Sequence, residues 1–288
     1  MNKWGFLGVL LMMQSCAQQP YFGKLEYLGK FPSSLSEVSG IDLNDEGKLW
    51  AIEDNGNKDV LFQINLQGKV VKKLKIENAK NKDWEDLTIA KDGALYIGDF
   101  GNNSNERKDL VIYRISRDQL GKKTPKAKKI KFSYPQQKDF PPKKSKLLFD
   151  AEGFFHWNGY LYLFTKNRSR PYSGKTLLYR VPDKEGEYNA TLIGEFILCT
   201  NKDNCSVTGA DISEDGKTIA LIGYGFVYLL SEFDLYHFST PKVTTIDLRY
   251  PTQIESVCFL DENTLLIADE QSKTKGRNLY KYTLKTKP

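Results

Sequence analysis

The sequence predicts an all-β chain, a propeller of five four-stranded blades, on three observations. Hairpin-like segments recur at a period near fifty residues. Each is followed by a third apolar run with an aromatic at a matching place, and four of them by a fourth run. A strand-like stretch ahead of the first copy supplies the strand that the last copy lacks.

That leading stretch, residues 24–31, alternates apolar and polar side chains (KLEYLGKF). The five copies then read EVSGIDLNDEGKLWAIEDN from Glu37, DWEDLTIAKDGALYIGDFGNN from Asp83, FDAEGFFHWNGYLYLFTKN from Phe149, SVTGADISEDGKTIALIGYG from Ser206 and QIESVCFLDENTLLIADE from Gln253. In every copy two apolar runs flank a tight turn, Glu46-Gly47, Asp92-Gly93, Asn158-Gly159, Asp215-Gly216 and Glu262-Asn263 in order, which is a β-hairpin signature. The third run carries Phe62, Tyr113, Tyr179, Tyr228 or Tyr280, spaced 51, 66, 49 and 52 residues apart. The longer interval marks an insertion. Fourth strands are expected at 70–76, 129–134, 191–198 and 242–248, and pairing of 24–31 with the last copy would close the ring and leave no open seam. Six blades is the alternative, if the insertion after Asp118 or the stretch 231–239 hides another unit.

The 288 residues are 40% apolar and 12% aromatic, enough for a sizeable core. Residues 1–16 place Lys3 before an apolar run from Trp4 to Met13 and Ser15 just before Cys16. This order resembles a bacterial lipoprotein signal, whose cysteine becomes the acylated first residue of the mature chain. The expected organisation is therefore a signal over 1–16, a tether over 17–21 and one domain over 22–288. The chain would be exported and lipid-anchored to the cell envelope, at the outer membrane, facing the periplasm or exterior. Nothing after residue 16 is apolar enough to span a bilayer.

An exported chain can oxidise Cys199 and Cys205 across the polar segment between them, and Cys258 in an apolar run reads as core. Much of the net charge of +6 lies between Lys122 and Lys146, without the interleaved aromatics that nucleic acid would need. A solvated Lys/Pro loop on a monomer is the expectation, with the membrane and a small-molecule or polymeric ligand as partners.

In a propeller the first strands line the central channel. The residues aligned at their starts are Ser39, Glu85, Glu152, Thr208 and Glu255, and those at the ends of the second strands are Asp54, Asp99, Lys166, Tyr224 and Asp269. Clustered carboxylates repel unless neutralised, and a hard cation with oxygen ligands neutralises them. Glu85, Asp99, Glu152, Glu255 and Asp269 are the expected metal ligands, with calcium the expected ion. Asp54, Asn102, Arg107, Lys166 and Asp211 are the expected ligand-binding residues. Two other readings stay open: acids paired with Lys166, Arg107 and Arg168 as a plug, or a proton-transfer site. Zinc is not the expected ion: His156 and His237 stand outside the repeated positions and no CxxC or HxxxH spacing occurs.

WEDLTIA, ALYIGDFGNNSNERKDLVIYRI, DAEGFF, LYLFTKN, VTGADISEDGKTIAL and IESVCF follow one another in this order. The set resembles a group of exported, poorly characterised bacterial β-propeller proteins, over about residues 37–269. More distantly it is similar to calcium-dependent lactonase-like and phytase-like propellers, which bind calcium in the channel and hydrolyse esters. The resemblance implies that Glu85, Asp99, Glu152 and Glu255 are channel residues, with Arg107 and Lys166 as charged companions. No histidine stands at a channel position and no G-x-S-x-G occurs, so His-based lactonase and serine-hydrolase chemistry have no counterpart. The expected function is an envelope-anchored binding module with a channel cation. A metal-dependent hydrolase of phosphate or carboxylic esters, or a scaffold of an envelope complex, are the alternatives.

Overall fold

A computed structural model describes residues 21–238 and 241–285. Cys16, the signal and residues 17–20 lie outside the described residues. Strand β1 (Glu26–Lys30) precedes a first blade of β2 (Val38–Leu43), β3 (Leu49–Glu53), β4 (Val60–Ile64) and β5 (Val70–Lys75). Blade 2 has β6 (Trp84–Ile89), β7 (Leu95–Asp99) and β8 (Val111–Ile115), then, after the short helix α1 (Arg117–Leu120), β9 (Lys128–Ser133). Blade 3 has β10 (Asp150–Trp157), β11 (Tyr160–Lys166) and β12 (Lys175–Pro182); β13 (Gly186–Asn189) leaves it before β14 (Thr191–Ile197) completes it. After the helical turn α2 (Lys202–Cys205), blade 4 has β15 (Gly209–Ile212), β16 (Ile219–Gly223), β17 (Phe226–Ser231) and β18 (Lys242–Asp247). Blade 5 has β19 (Ile254–Asp261), β20 (Thr264–Asp269) and β21 (Asn278–Thr283).

The sheets number five among the described residues, so the six-blade alternative is set aside. β1 pairs antiparallel with β21, which joins the start of the described chain to its last strand and closes the ring. The insertion forms no blade: between β9 and β10 it holds only a short 3-10 turn, Lys144–Lys146. The sequence does not predict β13, which pairs in parallel with β9 and straps blade 3 onto the outer edge of blade 2. Lys131 Nζ meets Glu187 Oε1 at 2.6 Å across that pair.

The core lies between blades, where the flat faces of neighbouring sheets meet. Trp84, fully buried, packs with Trp50 and Ile52 of blade 1 and with Leu95 and Ile97 of blade 2. Phe154 and Phe100 meet edge-to-face at 5.1 Å between blades 2 and 3. Cys258 is buried in the core, and Cys199 and Cys205 are joined as a disulfide with Cα atoms 5.6 Å apart.

The inner strands carry a shared irregularity. The register shifts between Val38 and Gly40, Trp84 and Asp86, Ala151 and Gly153, and Ile254 and Ser256. Ser39, Glu85, Glu152 and Glu255 are thus the extra residues of β-bulges, which re-aim a side chain toward the axis. In blade 4 Thr208 holds this position, its N–H donating to Ile222 O while Gly209 is the residue paired with Ile222.

One step deeper stand Gly40, Asp86, Gly153, Gly209 and Ser256. A Cβ on Gly40 would lie 2.6 Å from Leu87 N, and one on Gly153 would lie 2.6 Å from the Gly209 carbonyl carbon, so the inner strands approach closely here. Asp86, 1% exposed, fills the axis at this level. Its carboxylate accepts from Leu87 N (2.8 Å), Phe154 N (3.1 Å) and Ala210 N (3.4 Å), tying three blades together. Innermost strands have no sheet neighbour on the axial side, and these acids satisfy the N–H groups that this leaves. Strict alternation predicts Asp86 opposite Glu85; the bulge turns both to the axis.

Candidate metal centre in the channel mouth

Above Asp86 the channel opens into a cavity of about 200 Å³. Its walls include Asp54, Glu85, Glu152, Glu255 and Glu270, against two cations, Lys166 and Arg168. Where the ring residue is a hydroxyl, it is spent on the next blade: Ser39 Oγ donates to Trp84 O at 2.9 Å and Thr208 Oγ1 to Ile254 O at 2.7 Å. Where it is a glutamate, it faces the cavity.

Two carboxylate trios have one oxygen of each member within 4.8 Å of the others: Asp54, Asp83 and Glu85, and Glu85, Asp150 and Glu152. Glu85 belongs to both. The trios differ in what neutralises them. Arg168 Nε meets Asp150 Oδ2 at 2.6 Å and its Nη2 meets Glu152 Oε1 at 2.6 Å, while Lys166 Nζ meets Glu152 Oε2 at 3.0 Å. In the first trio Asp83 takes only the Asn55 amide, at 2.8 Å, and Asp54 the Asn55 backbone N–H, at 2.5 Å. Glu85 is 7% exposed, and among the described residues its carboxylate has neither a hydrogen-bond donor nor a cation at ion-pair distance.

The electrostatics follow. Burial, then the charges of Glu152, Asp54, Asp150 and Asp83, push the Glu85 carboxyl well up. Burial raises Asp54 to about 6 and Asp83 in the same direction. Asp150 goes up to about 7, from burial and then Glu152, with Arg168 pulling back. Glu255 is raised well above the usual range by burial, against the pull of Lys166.

The donor set fits a hard cation: three carboxylates in reach of one another, all oxygen. The loop Asp99–Arg107 provides the space. A Cβ on Gly101 would lie 1.9 Å from Glu85 Oε1 and 2.5 Å from Asp83 Oδ2, so only glycine leaves this cradle clear.

Two expected metal ligands fall elsewhere. Asp99 is the register partner of Trp84 on one side and of Val111 on the other, so it shares the face of Trp84, which packs between blades, and points away from the axis. It binds Arg107 Nη2 at 2.9 Å and accepts from Asp83 N at 3.1 Å. Asp269, partner of Ile254, is taken by Thr252 Oγ1 at 2.7 Å, Asn278 N at 2.7 Å and Tyr280 OH at 2.9 Å. The residues at their level are offset by one, and a one-residue slip turns a strand side chain to the other face. At the offset position blade 5 has Glu270, which lines the cavity; blade 2 has Phe100, which is buried in the core against Phe154 and contributes no wall.

Of the expected ligand-binding residues, Asp54 and Lys166 line the cavity. Asn102 does not: its N–H donates to Asp150 Oδ1 and its amide to Phe149 O, bracing the loop. Arg107 is held by Asp99, Asp109 and Gly101 O. Asp211 lies toward the other end of the channel, accepting from Ile212 N and Phe259 N. The sequence reading names none of Asp83, Asp150 and Glu270 as a site residue. The signal for the first two is the shared D-x-E of Asp83-Trp84-Glu85 and Asp150-Ala151-Glu152.

No family model matches the chain, and no curated protein matches it in sequence. Among solved structures it is similar to the PQQ-bound aldose sugar dehydrogenase of Streptomyces coelicolor, with a TM-score of 0.50 at 10% identity over 91% of this chain and 98% of that one. A gluconolactonase from Xanthomonas campestris gives 0.47 at 14% identity, over 86% and 72%. Virginiamycin B lyase from Staphylococcus aureus with quinupristin gives 0.44 at 17%, over 88% and 68%. These likenesses are of fold. The chemistry has to be read from the cavity itself.

Proposed function

We propose that this protein is a cation-dependent binding module, holding a divalent ion of the calcium type among Asp54, Asp83 and Glu85 and taking a polar ligand in the channel mouth. The observation that carries the reading is Glu85: a buried carboxylate, shared by two acidic trios, with no hydrogen-bond donor or ion-pair partner among the described residues. Such a carboxyl takes up a proton when no cation is near, and a bound cation stabilises its ionised form. Cation affinity comes from this trio because Arg168 and Lys166 already neutralise the other.

The test is a thermal melt of the folded domain in EDTA and in calcium. An ion bound only by the folded state at a hundred times its Kd adds about 2.7 kcal/mol. Calcium is expected to raise the midpoint in the wild type and in Lys122→Ala, and to leave Glu85→Gln unmoved. Absence of any wild-type shift would end the proposal.

A second reading, hydrolysis of phosphate or carboxylic esters, is favoured by the wall opposite Glu85. There the buried Lys166 ammonium lies 3.5 Å from Tyr224 OH, positioned to stabilise charge on a reacting oxygen. A bound cation would supply Lewis acidity. Turnover of p-nitrophenyl phosphate or acetate, lost in Glu85→Gln and in Lys166→Met, would establish it; no turnover leaves the binding module.

For localisation, the proposal is an exported chain acylated at Cys16. The charge, apolar and small-residue order of residues 1–16 supports it, as does the Cys199–Cys205 disulfide, a bond of oxidising compartments. Metabolic labelling with a fatty acid should mark the wild type and not Cys16→Ser.

A further inference from the structure

The two trios share Glu85, so the mouth has the carboxylates for two adjacent cations, yet only one position is open. At the other, the Arg168 guanidinium bridges Asp150 Oδ2 and Glu152 Oε1, both at 2.6 Å, and also bonds Asn103. Its side chain reaches this point from just beyond the end of β11 and remains partly exposed to the cavity. The planar fork matches the spacing of two carboxylates, and its charge is permanent. A second divalent ion within a few ångströms of it would meet strong repulsion.

The geometry points to a one-cation centre in which Arg168 stands where a second cation would otherwise bind, with Glu85 joining the two positions. This rests on the cation reading above and adds its stoichiometry. Lys166 is not the blocking group. Of the trio's carboxylate oxygens it holds only Glu152 Oε2, leaving Glu152 Oε1, Asp150 Oδ2 and Glu85 for an ion once the guanidinium is gone. The arrangement also has a consequence for ligands. Arg168 Nη1 has no acceptor among the described residues, so a ligand oxygen entering the cavity could accept from it.

Equilibrium dialysis of the full chain against calcium, with metal counted per folded protein, tests the inference. The wild type should hold one ion and Arg168→Gln two. Arg168→Lys, which keeps a positive charge at that place, should hold one. If Arg168→Gln folds only when calcium is present, refolding in calcium followed by elemental analysis gives the same count. Two ions in the wild type, or one in Arg168→Gln, would overturn the stoichiometric inference and leave the first site standing. No ion in the wild type would instead remove the cation reading beneath it.

Discussion

Gly101 passes so close to Glu85 that a Cβ added to it would stand 1.9 Å from Glu85 Oε1. The contact is with the ends of two side chains, those of Glu85 and Asp83, and not with backbone. Gly101→Ala should therefore fold and displace the carboxylates. We expect calcium affinity to fall at least tenfold, about 1.4 kcal/mol, by titration calorimetry. The melting midpoint in EDTA should change little. Unchanged affinity would mean that the trio does not hold the ion.

Asp86 is the axial cross-link, and its loss should be felt as stability. Burial pushes its carboxyl well up while N–H donors from Phe154, Leu87 and Ala210 pull it back. Asn at this place offers one acceptor oxygen and turns an amide toward backbone N–H groups already in place. Leaving buried donors unmet costs on the order of 3 kcal/mol. Asp86→Asn should lower the EDTA midpoint by roughly 10 °C, given a few degrees per kcal/mol for a domain of this size. Ser256→Ala is the control: it lies at the same level, and its buried hydroxyl has no partner. It should be neutral or slightly stabilising.

The disulfide is predicted to matter locally. Cys199 and Cys205 are six residues apart, and closing so short a loop restricts the unfolded chain by about 2 kcal/mol. Cys199→Ser with Cys205→Ser should lower the unfolding free energy by that amount and leave calcium affinity unchanged. A change in affinity would show that the α2 turn is coupled to the mouth.

The blade count was legible because a tight turn between two apolar runs recurs in every copy, and β1 because a closed ring needs a twentieth strand. β13 was not, since GEYN carries a single apolar side chain, Tyr188, too little to mark a strand, and it pairs only with the edge of β9. At the site, Glu85, Glu152 and Glu255 were legible as aligned acids at strand starts. Asp99 and Asp269 were misread because a gap-free alignment of second-strand ends cannot show which residue faces the axis; a shift of one position exchanges Asp269 for Glu270. Asp86 was misread for the opposite reason. Alternation was assumed through Glu85, and a bulge interrupts it there. Neither Arg168's hold on two acids nor the absence of a partner for Glu85 is a sequence property; both are set by which loop ends meet.

Asp211 gives a pH prediction at the end of the channel remote from the cation trio. Burial raises its carboxyl to about 7, against the pull of Phe259 N–H and Ile212 N–H, and its charge in turn pushes Asp42 up. In the unfolded chain an aspartate titrates near 3.9. The folded state thus binds the proton more tightly, and stability falls with rising pH wherever the native state carries more protons than the unfolded one. The contribution is fully present below about pH 4 and is lost as the pH climbs through about 7. In EDTA the wild-type midpoint should accordingly drop between pH 5 and pH 8, and Asp211→Asn, which cannot ionise, should drop less over the same interval. Parallel slopes for the two proteins would show that Asp211 carries no proton in this range. The calcium-induced shift, which depends on the other mouth, should be the same in both.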